Sequence, residues 1–316
     1  MFHRVCPDRS KQRIRGNAGL EVTPEYLENT IEFLRQNNYE IVSLSQAAKI
    51  LNEGYKEKKF AVFTFDDGYS DNFIHAYPIL KKHRVPFTVY VTTNFPDRKA
   101  ILWWYLLEDL ILKETVIKFQ LNGREYQFLC ADLWQKEWAY QEIHRLILNS
   151  SSSDLNPRIR QVFENYEIDF LKKTSELALT WEQIREMSED PLVEIGAHTI
   201  SHPALNKLTD SAVLKEIEGS RDKIESEINK KVEHFSYPFG TRNEIGRREF
   251  KIAKKCGFKT STTTSIANIF EEHKDLLEQL PRIPINQKRD NGKINYLSLW
   301  LNGTIPCIIN KFKRIL

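Results

Sequence analysis

Short apolar runs rich in aromatic and β-branched residues recur along this chain, separated by longer stretches in which apolar positions fall three and four apart. The first pattern predicts strands and the second helices. Phe60 to Phe65 (FAVFTF) has the composition of a strand buried on both faces, and Pro86 to Thr93 (PFTVYVTT) is a second such run. Ahead of them, Thr23 and Pro24 form an N-cap and first-turn pair for a helix carrying Tyr26, Leu27, Ile31 and Leu34 and ending at Asn37-Asn38. A short extended piece, Glu40 to Leu44, leads into a helix from Ser45 to Asn52, and Ser70 or Asp71 is placed to cap a helix through Ile74 and Leu80 to His83. Beyond residue 180 the alternation resumes: helix Trp181 to Glu189, strand Leu192 to Ala197, helix Asp210 to Asn229, strand Val232 to Tyr237, helix Arg247 to Cys256, strand Phe258 to Thr262, and a last strand-like piece from Gln279 to Ile285. Strand and helix in alternation predict an α/β fold with parallel strands.

Between Asp97 and Leu179 the pattern breaks, and residues 97–179 read as an insertion within a single domain spanning 1–316. The segment holds an aromatic helix (Leu102 to Lys113), a hairpin turning at Asn122-Gly123, and helices near Asp132 to Leu148 and Pro157 to Tyr166. Ser150 to Ser153 reads as a flexible joint. Trp103 and Trp104 could line a sugar subsite, but tryptophans at helical spacing more often pack a core, and packing is the expectation.

Charge and cysteine usage narrow the function classes. With 46 basic and 43 acidic residues the net charge is +3, which gives no electrostatic case for nucleic acid. Cys6, Cys130, Cys256 and Cys307 are scattered without a CxxC pair and read as reduced thiols. The polar, basic start (MFHRVCPDRSKQRIRG) has no apolar core of signal-peptide length, so a cytoplasmic protein is expected, although Met1 to Val5 reads as the tail of a strand begun earlier. The tail, with Trp300, Leu301, Ile308 and Ile309 near Lys311, Lys313 and Arg314, suits a docked terminal helix or peripheral contact with the inner membrane face.

Candidate chemistry sits at the ends of the predicted strands. Asp66 and Asp67 follow Phe65 and precede Gly68, where ligands bind in open sheets and barrels alike. A turn and a helix cap would use the same residues. The strand ending at Ala197 runs into His198-Thr199-Ile200-Ser201-His202. Two imidazoles four apart and one carboxylate suit a zinc-type divalent metal with a position left for water, and leave the second aspartate as a base.

In this order, TFDDG, HTISH and FSYPFG resemble the successive motifs of the polysaccharide deacetylase family (NodB homology, carbohydrate esterase family 4), supported by FHRV, LTWEQIREM and VEIGAHTISHPAL. The resemblance implies a distorted (β/α)7-type barrel and removal of an N-acetyl group from a sugar. It assigns Asp66 as catalytic base, Asp67, His198 and His202 as metal ligands, most readily for Zn2+, and Tyr237, Pro238, Phe239 and Gly240 as the turn that shapes a backbone N–H for the oxyanion. Two departures stand out. Ser236 occupies the place of the family's base-orienting arginine, with Arg282 in LPRIPI the nearest replacement. No histidine follows His273 to act as general acid, and His3 is the substitute if first and last strands lie side by side. The expected substrate is an N-acetylated sugar, nucleotide- or lipid-linked, in glycan biosynthesis. The alternatives are a deformylase on a lipid-linked amino sugar and a glycan-binding pseudoenzyme.

Overall fold

The computed structural model describes residues 1–7, 13–54, 59–149, 155–289 and 292–313. The Ser150 to Ser153 joint and Arg314 lie outside them. Six parallel strands form the central sheet: β1 (Phe63–Phe65), β2 (Phe87–Val91), β3 (Val193–Ala197), β4 (His234–Ser236), β5 (Thr260–Ile266) and β6 (Leu280–Arg282). They lie in the order β6-β5-β4-β3-β2-β1, and the sheet curls. Its two edges meet across the first residues of the chain, which add a seventh member. Phe2 pairs with Phe65 in parallel; the Phe2 amide donates to the Thr64 carbonyl at 2.8 Å and the Ile285 amide to the Met1 carbonyl at 3.0 Å. The result is the expected distorted (β/α)7 barrel, with first and last strands side by side.

Strand periodicity divides the residues between two environments. Phe63, Phe65, Phe87, Val89, Val91, Ile195, Ala197 and Phe235 face outward and share one core with Leu27, Ile31, Leu80, Ile184, Ile217 and Ile224 of the surrounding helices. The alternate positions, Thr64, Thr88, Glu194, His234 and Ser236, carry the polar interior, where each finds hydrogen-bond partners. Room inside is tight. A Cβ on Gly196 would lie 2.5 Å from the Tyr90 ring, so only glycine lets that ring cross the interior.

Two local expectations need correction. Phe60 to Phe65 is not one strand: Lys59–Ala61 pairs with Tyr39–Ile41 in a separate two-stranded sheet, and only Phe63–Phe65 enters the barrel. The first half therefore stays partly exposed, because its partner strand lies outside the barrel wall. Neither Ser70 nor Asp71 caps a helix. The chain passes through a π-helical turn, Asn72–Ala76, into the helix Tyr77–Lys82, while the Asp71 carboxylate accepts from Arg4 Nε at 2.7 Å and the Val5 amide at 3.1 Å.

The 97–179 segment has a hydrophobic core of its own, built from the helices Trp103–Lys113, Leu133–Leu148 and Asn156–Phe163 and the hairpin Val116–Leu121/Arg124–Leu129. A further helix, Lys172–Leu177, leads back to the barrel. This core also takes in Ile14 from the N-terminal part of the chain. Buried Glu108 fixes that junction, accepting from Arg13 Nε and the Ile14 amide at 2.8 Å each and from Asn17 Nδ2 at 2.9 Å. In the tail, Trp300 is buried under the Arg289 guanidinium, whereas Ile308, Ile309 and Phe312 are exposed. Among the described residues no helix is long and apolar enough to cross a membrane.

Candidate active site

Every strand-tip residue singled out above arrives at the same end of the barrel. Asp66 and Asp67 directly follow β1, His198 follows β3, and Arg282 closes β6. Backbone conformation sharpens the placement. Asp67, Thr199, His202 and Phe239 all adopt left-handed φ angles, between 58° and 76°. Four non-glycine residues held so within one site store strain that the surrounding contacts must support.

Asp67, His198 and His202 form a triangle. The Asp67 Oδ1 atom lies 3.4 Å from Nε2 of both histidines, long for a charge-assisted hydrogen bond, which runs about 2.7–2.9 Å. Tetrahedral ligands about 2.0–2.1 Å from a zinc ion lie about 3.3 Å apart, so the spacing fits shared ligation better than pairwise bonding. The tautomer fits as well. His198 Nδ1–H donates to the Ser236 carbonyl at 2.7 Å, which turns the Nε2 lone pair toward Asp67. Burial alone would raise the Asp67 pKa and lower that of His198, but the close approach of carboxylate and imidazole wins, holding Asp67 well below and His198 above their ordinary values. These three residues are the fitting donor set for a divalent cation.

Asp66 is buried and gripped from both sides of its carboxylate. Arg282 Nη1 and Nη2 donate to Oδ1 and Oδ2 at 2.7 Å each, a bidentate fork. Burial pushes the Asp66 pKa up, but the charge and bonds of Arg282 outweigh it and keep the carboxyl ionised below its usual range. The arginine itself is held by the Thr263 carbonyl at 2.8 Å and by Ser236 Oγ at 3.0 Å. Ser236, the residue in the expected arginine's place, thus receives the guanidinium that arrives from another strand.

His3 lies on the same cavity wall as Asp66, Asp67 and His198, and burial lowers its pKa against the pull of both carboxylates. The FSYPFG turn contributes unequally. Phe239 lines the cavity with its ring 4.9 Å from His202, and its amide meets no acceptor among the described residues. Tyr237 points to the outer core instead, packed on Phe235 and Phe250, with its hydroxyl donating to the Glu278 carbonyl at 2.8 Å. Pro238 and Gly240 are buried and do not line the cavity. They set the backbone, and a Cβ at Gly240 would sit 2.8 Å from the Thr264 amide nitrogen.

Some contributors carried no sequence signal. Glu216, on the helix Asp210–Ile228, anchors the histidine loop, accepting from the Ile200 and Ser201 amides at 2.8 and 3.0 Å and from Ser201 Oγ at 2.7 Å. In a helix rich in charge it looks like any solvated carboxylate. Both tryptophans pack on the core of the 97–179 segment and both also line the cavity, Trp103 as a buried member of that core and Trp104 half-buried at its edge with its ring 6.4 Å from His202, so the expected packing does not keep either from the cavity. Successive helical residues point about 100° apart, so one helix serves both surfaces.

A parallel α/β barrel with its polar cluster gathered at the carboxyl ends of the strands belongs to the class of folds that carry their chemistry on that face. Residues 53–261 match the family profile described as polysaccharide deacetylase, and the chain belongs to that family. YxkH of Bacillus subtilis (strain 168), a polysaccharide deacetylase by name, is 24% identical over 250 residues, 79% of this chain and 60% of its own length. The poly-beta-1,6-N-acetyl-D-glucosamine N-deacetylase of Staphylococcus aureus (strain MSSA476) is 24% identical over 131 residues, 42% of this chain and 41% of its own. The chain therefore matches less than two thirds of the length of these relatives. Among solved structures, Streptococcus pyogenes deacetylase PplD in complex with acetate is similar with a TM-score of 0.61 over 95% of this chain and 96% of that one, at 19% identity. IcaB from Ammonifex degensii is similar at 0.59, over 96% and 95%, with 16% identity. Both likenesses are of fold.

Proposed function

We propose that this chain hydrolyses the acetamido group of an N-acetylated sugar in glycan biosynthesis, with a divalent cation, zinc foremost, held by Asp67, His198 and His202. The observation that carries the reading is an ionised, buried Asp66 locked by Arg282 directly beside a triangle of ligand atoms spaced for one ion. Bound there, the cation supplies Lewis acidity toward water and the amide carbonyl. Asp66 takes the proton of the attacking water, its orientation fixed by the fork to Arg282, which acts as a positioning residue. The Phe239 amide, which meets no acceptor among the described residues, is assigned to receive the charge that develops on the carbonyl oxygen. His3, the remaining imidazole on this wall, is assigned to protonate the departing amine. The S. aureus relative, an N-deacetylase by name, supports the amide as the bond cleaved. The arginine whose loss from the third motif would have favoured a pseudoenzyme is supplied by Arg282.

The test is metal analysis of the purified protein with acetate release measured on a panel of N-acetylglucosamine-bearing substrates and their N-formyl counterparts. Stoichiometric cation and acetate release that Asp66→Asn abolishes are expected. Bound cation with no amide cleavage on any member would sink the enzyme reading, and a full-rate His3→Ala variant would remove His3 from the mechanism.

A further inference from the structure

The cavity over the triangle is about 680 Å³, and it does not end at the barrel. From Asp66, Asp67 and the two histidines it runs outward to the 97–179 segment, where Ile101, Trp104, Leu155 and Ile159 form the far wall. A single sugar ring bearing an acetamido group leaves much of that space unfilled, so the far wall faces whatever the sugar carries.

The middle of that wall is apolar, with the neutral side chains of Asn17, Tyr140, Gln141, His144 and Asn156 also on the lining. Its apolar side chains rest on the segment's own core, with Ile101, Trp104 and Leu155 half-buried at its edge. The His144 ring lies between Trp103 at 4.9 Å and Tyr140 at 5.7 Å, tilted to both, and burial lowers its pKa. Among the described residues cations here are few: Lys99 on the rim is tied to Asp97 at 3.1 Å, and Arg13 and Arg4 are each paired with two carboxylates. A phosphate or diphosphate lying here would desolvate without a charged partner. A polysaccharide running over Ile101, Leu155 and Ile159 would likewise present hydroxyls to aliphatic groups.

Resting on the deacetylase reading above, we propose that the substrate is an acetamido sugar bearing an apolar, uncharged group, and that this group seats against Ile101, Trp104, Leu155 and Ile159. The 97–179 segment thereby selects the substrate, while the barrel performs the cleavage.

The experiment compares methyl and octyl β-N-acetylglucosaminide, UDP-N-acetylglucosamine and chitotetraose on the zinc-loaded full chain. Acetate release gives kcat/KM, and calorimetry on the Asp66→Asn variant gives binding. Octyl should exceed methyl glycoside by roughly tenfold or more in both, since fewer than two buried methylenes supply that factor. In Leu155→Glu and Ile101→Glu, each checked for an unchanged thermal transition, that preference should shrink to below roughly threefold, with the methyl glycoside nearly unaffected. Equal values for octyl and methyl, or tighter binding of the UDP-sugar or of chitotetraose, would overturn the proposal and leave the deacetylase reading standing. Failure of all four to bind or react would overturn both.

Discussion

Glu194 offers a stability test independent of the catalytic groups. It projects from β3 into the barrel and accepts four hydrogen-bonding groups or near neighbours: the Leu44 and Ser45 amides at 2.9 and 3.2 Å, Thr88 Oγ1 at 3.1 Å, and His234 Nε2 at 3.7 Å. Two of these are free amides at the first turn of the helix Leu44–Glu53, where a negative charge is favoured. Burial pushes the Glu194 pKa up, but His234 and the Ser45 bonds overcome it and bring it from 4.5 down to about 2. A depression of that size corresponds to about 3 kcal/mol of stability at neutral pH. The sign follows from which state takes the proton first. Above pH 4.5 both states are ionised and the contribution is complete; below it the unfolded chain is protonated first, and the contribution drains away as pH falls through 2. At pH 3 about 1.4 kcal/mol remains. Glu194→Gln should therefore unfold about 2–3 kcal/mol more easily than the parent in urea at pH 7, with the gap at least halved at pH 3. Activity per folded molecule at pH 7 should be unchanged. A gap of the same size at both pH values would refute the electrostatic origin, and no gap at pH 7 would refute the role altogether.

Other consequences concern the site. Arg282→Met leaves Asp66 buried without a partner, which should cost about 3–5 kcal/mol in stability and lower kcat by about 100-fold with little change in KM. Arg282→Lys, which keeps the charge but not the fork, should recover part of kcat, whereas a purely structural role would leave kcat per folded molecule unmoved. Glu216→Ala frees the histidine loop and should weaken cation affinity by about 10-fold while the fold persists, measured by competition with a chelator. Full chelation should abolish acetate release, and added zinc should restore it.

How much of this was readable beforehand differs by residue. TFDDG and HTISH pointed to the triangle only together, because a turn or a cap could use either motif alone, whereas carboxylates and imidazoles at the tips of two buried strands can meet at one point. Arg282 was matched to Asp66 only through the family resemblance, since 216 residues separate the two. Only the curl of the sheet brings β6 beside β1, and only the first residues, bonded to both, close that gap. Phe60 to Phe65 misled because composition reports burial propensity but not which partner strand each half will find. Trp104 misled because helical spacing tells which residues share a face and not what that face will meet.

The sequence by itself determined the alternation of strand and helix and the carboxylate and imidazole side chains carried at the strand tips, which follow from local periodicity and residue chemistry. Tertiary structure decided the rest. It paired Arg282 with Asp66, set Glu216 under the histidine loop, and turned Trp104 toward the cavity, because each depends on contacts between segments far apart in the chain that no local pattern encodes.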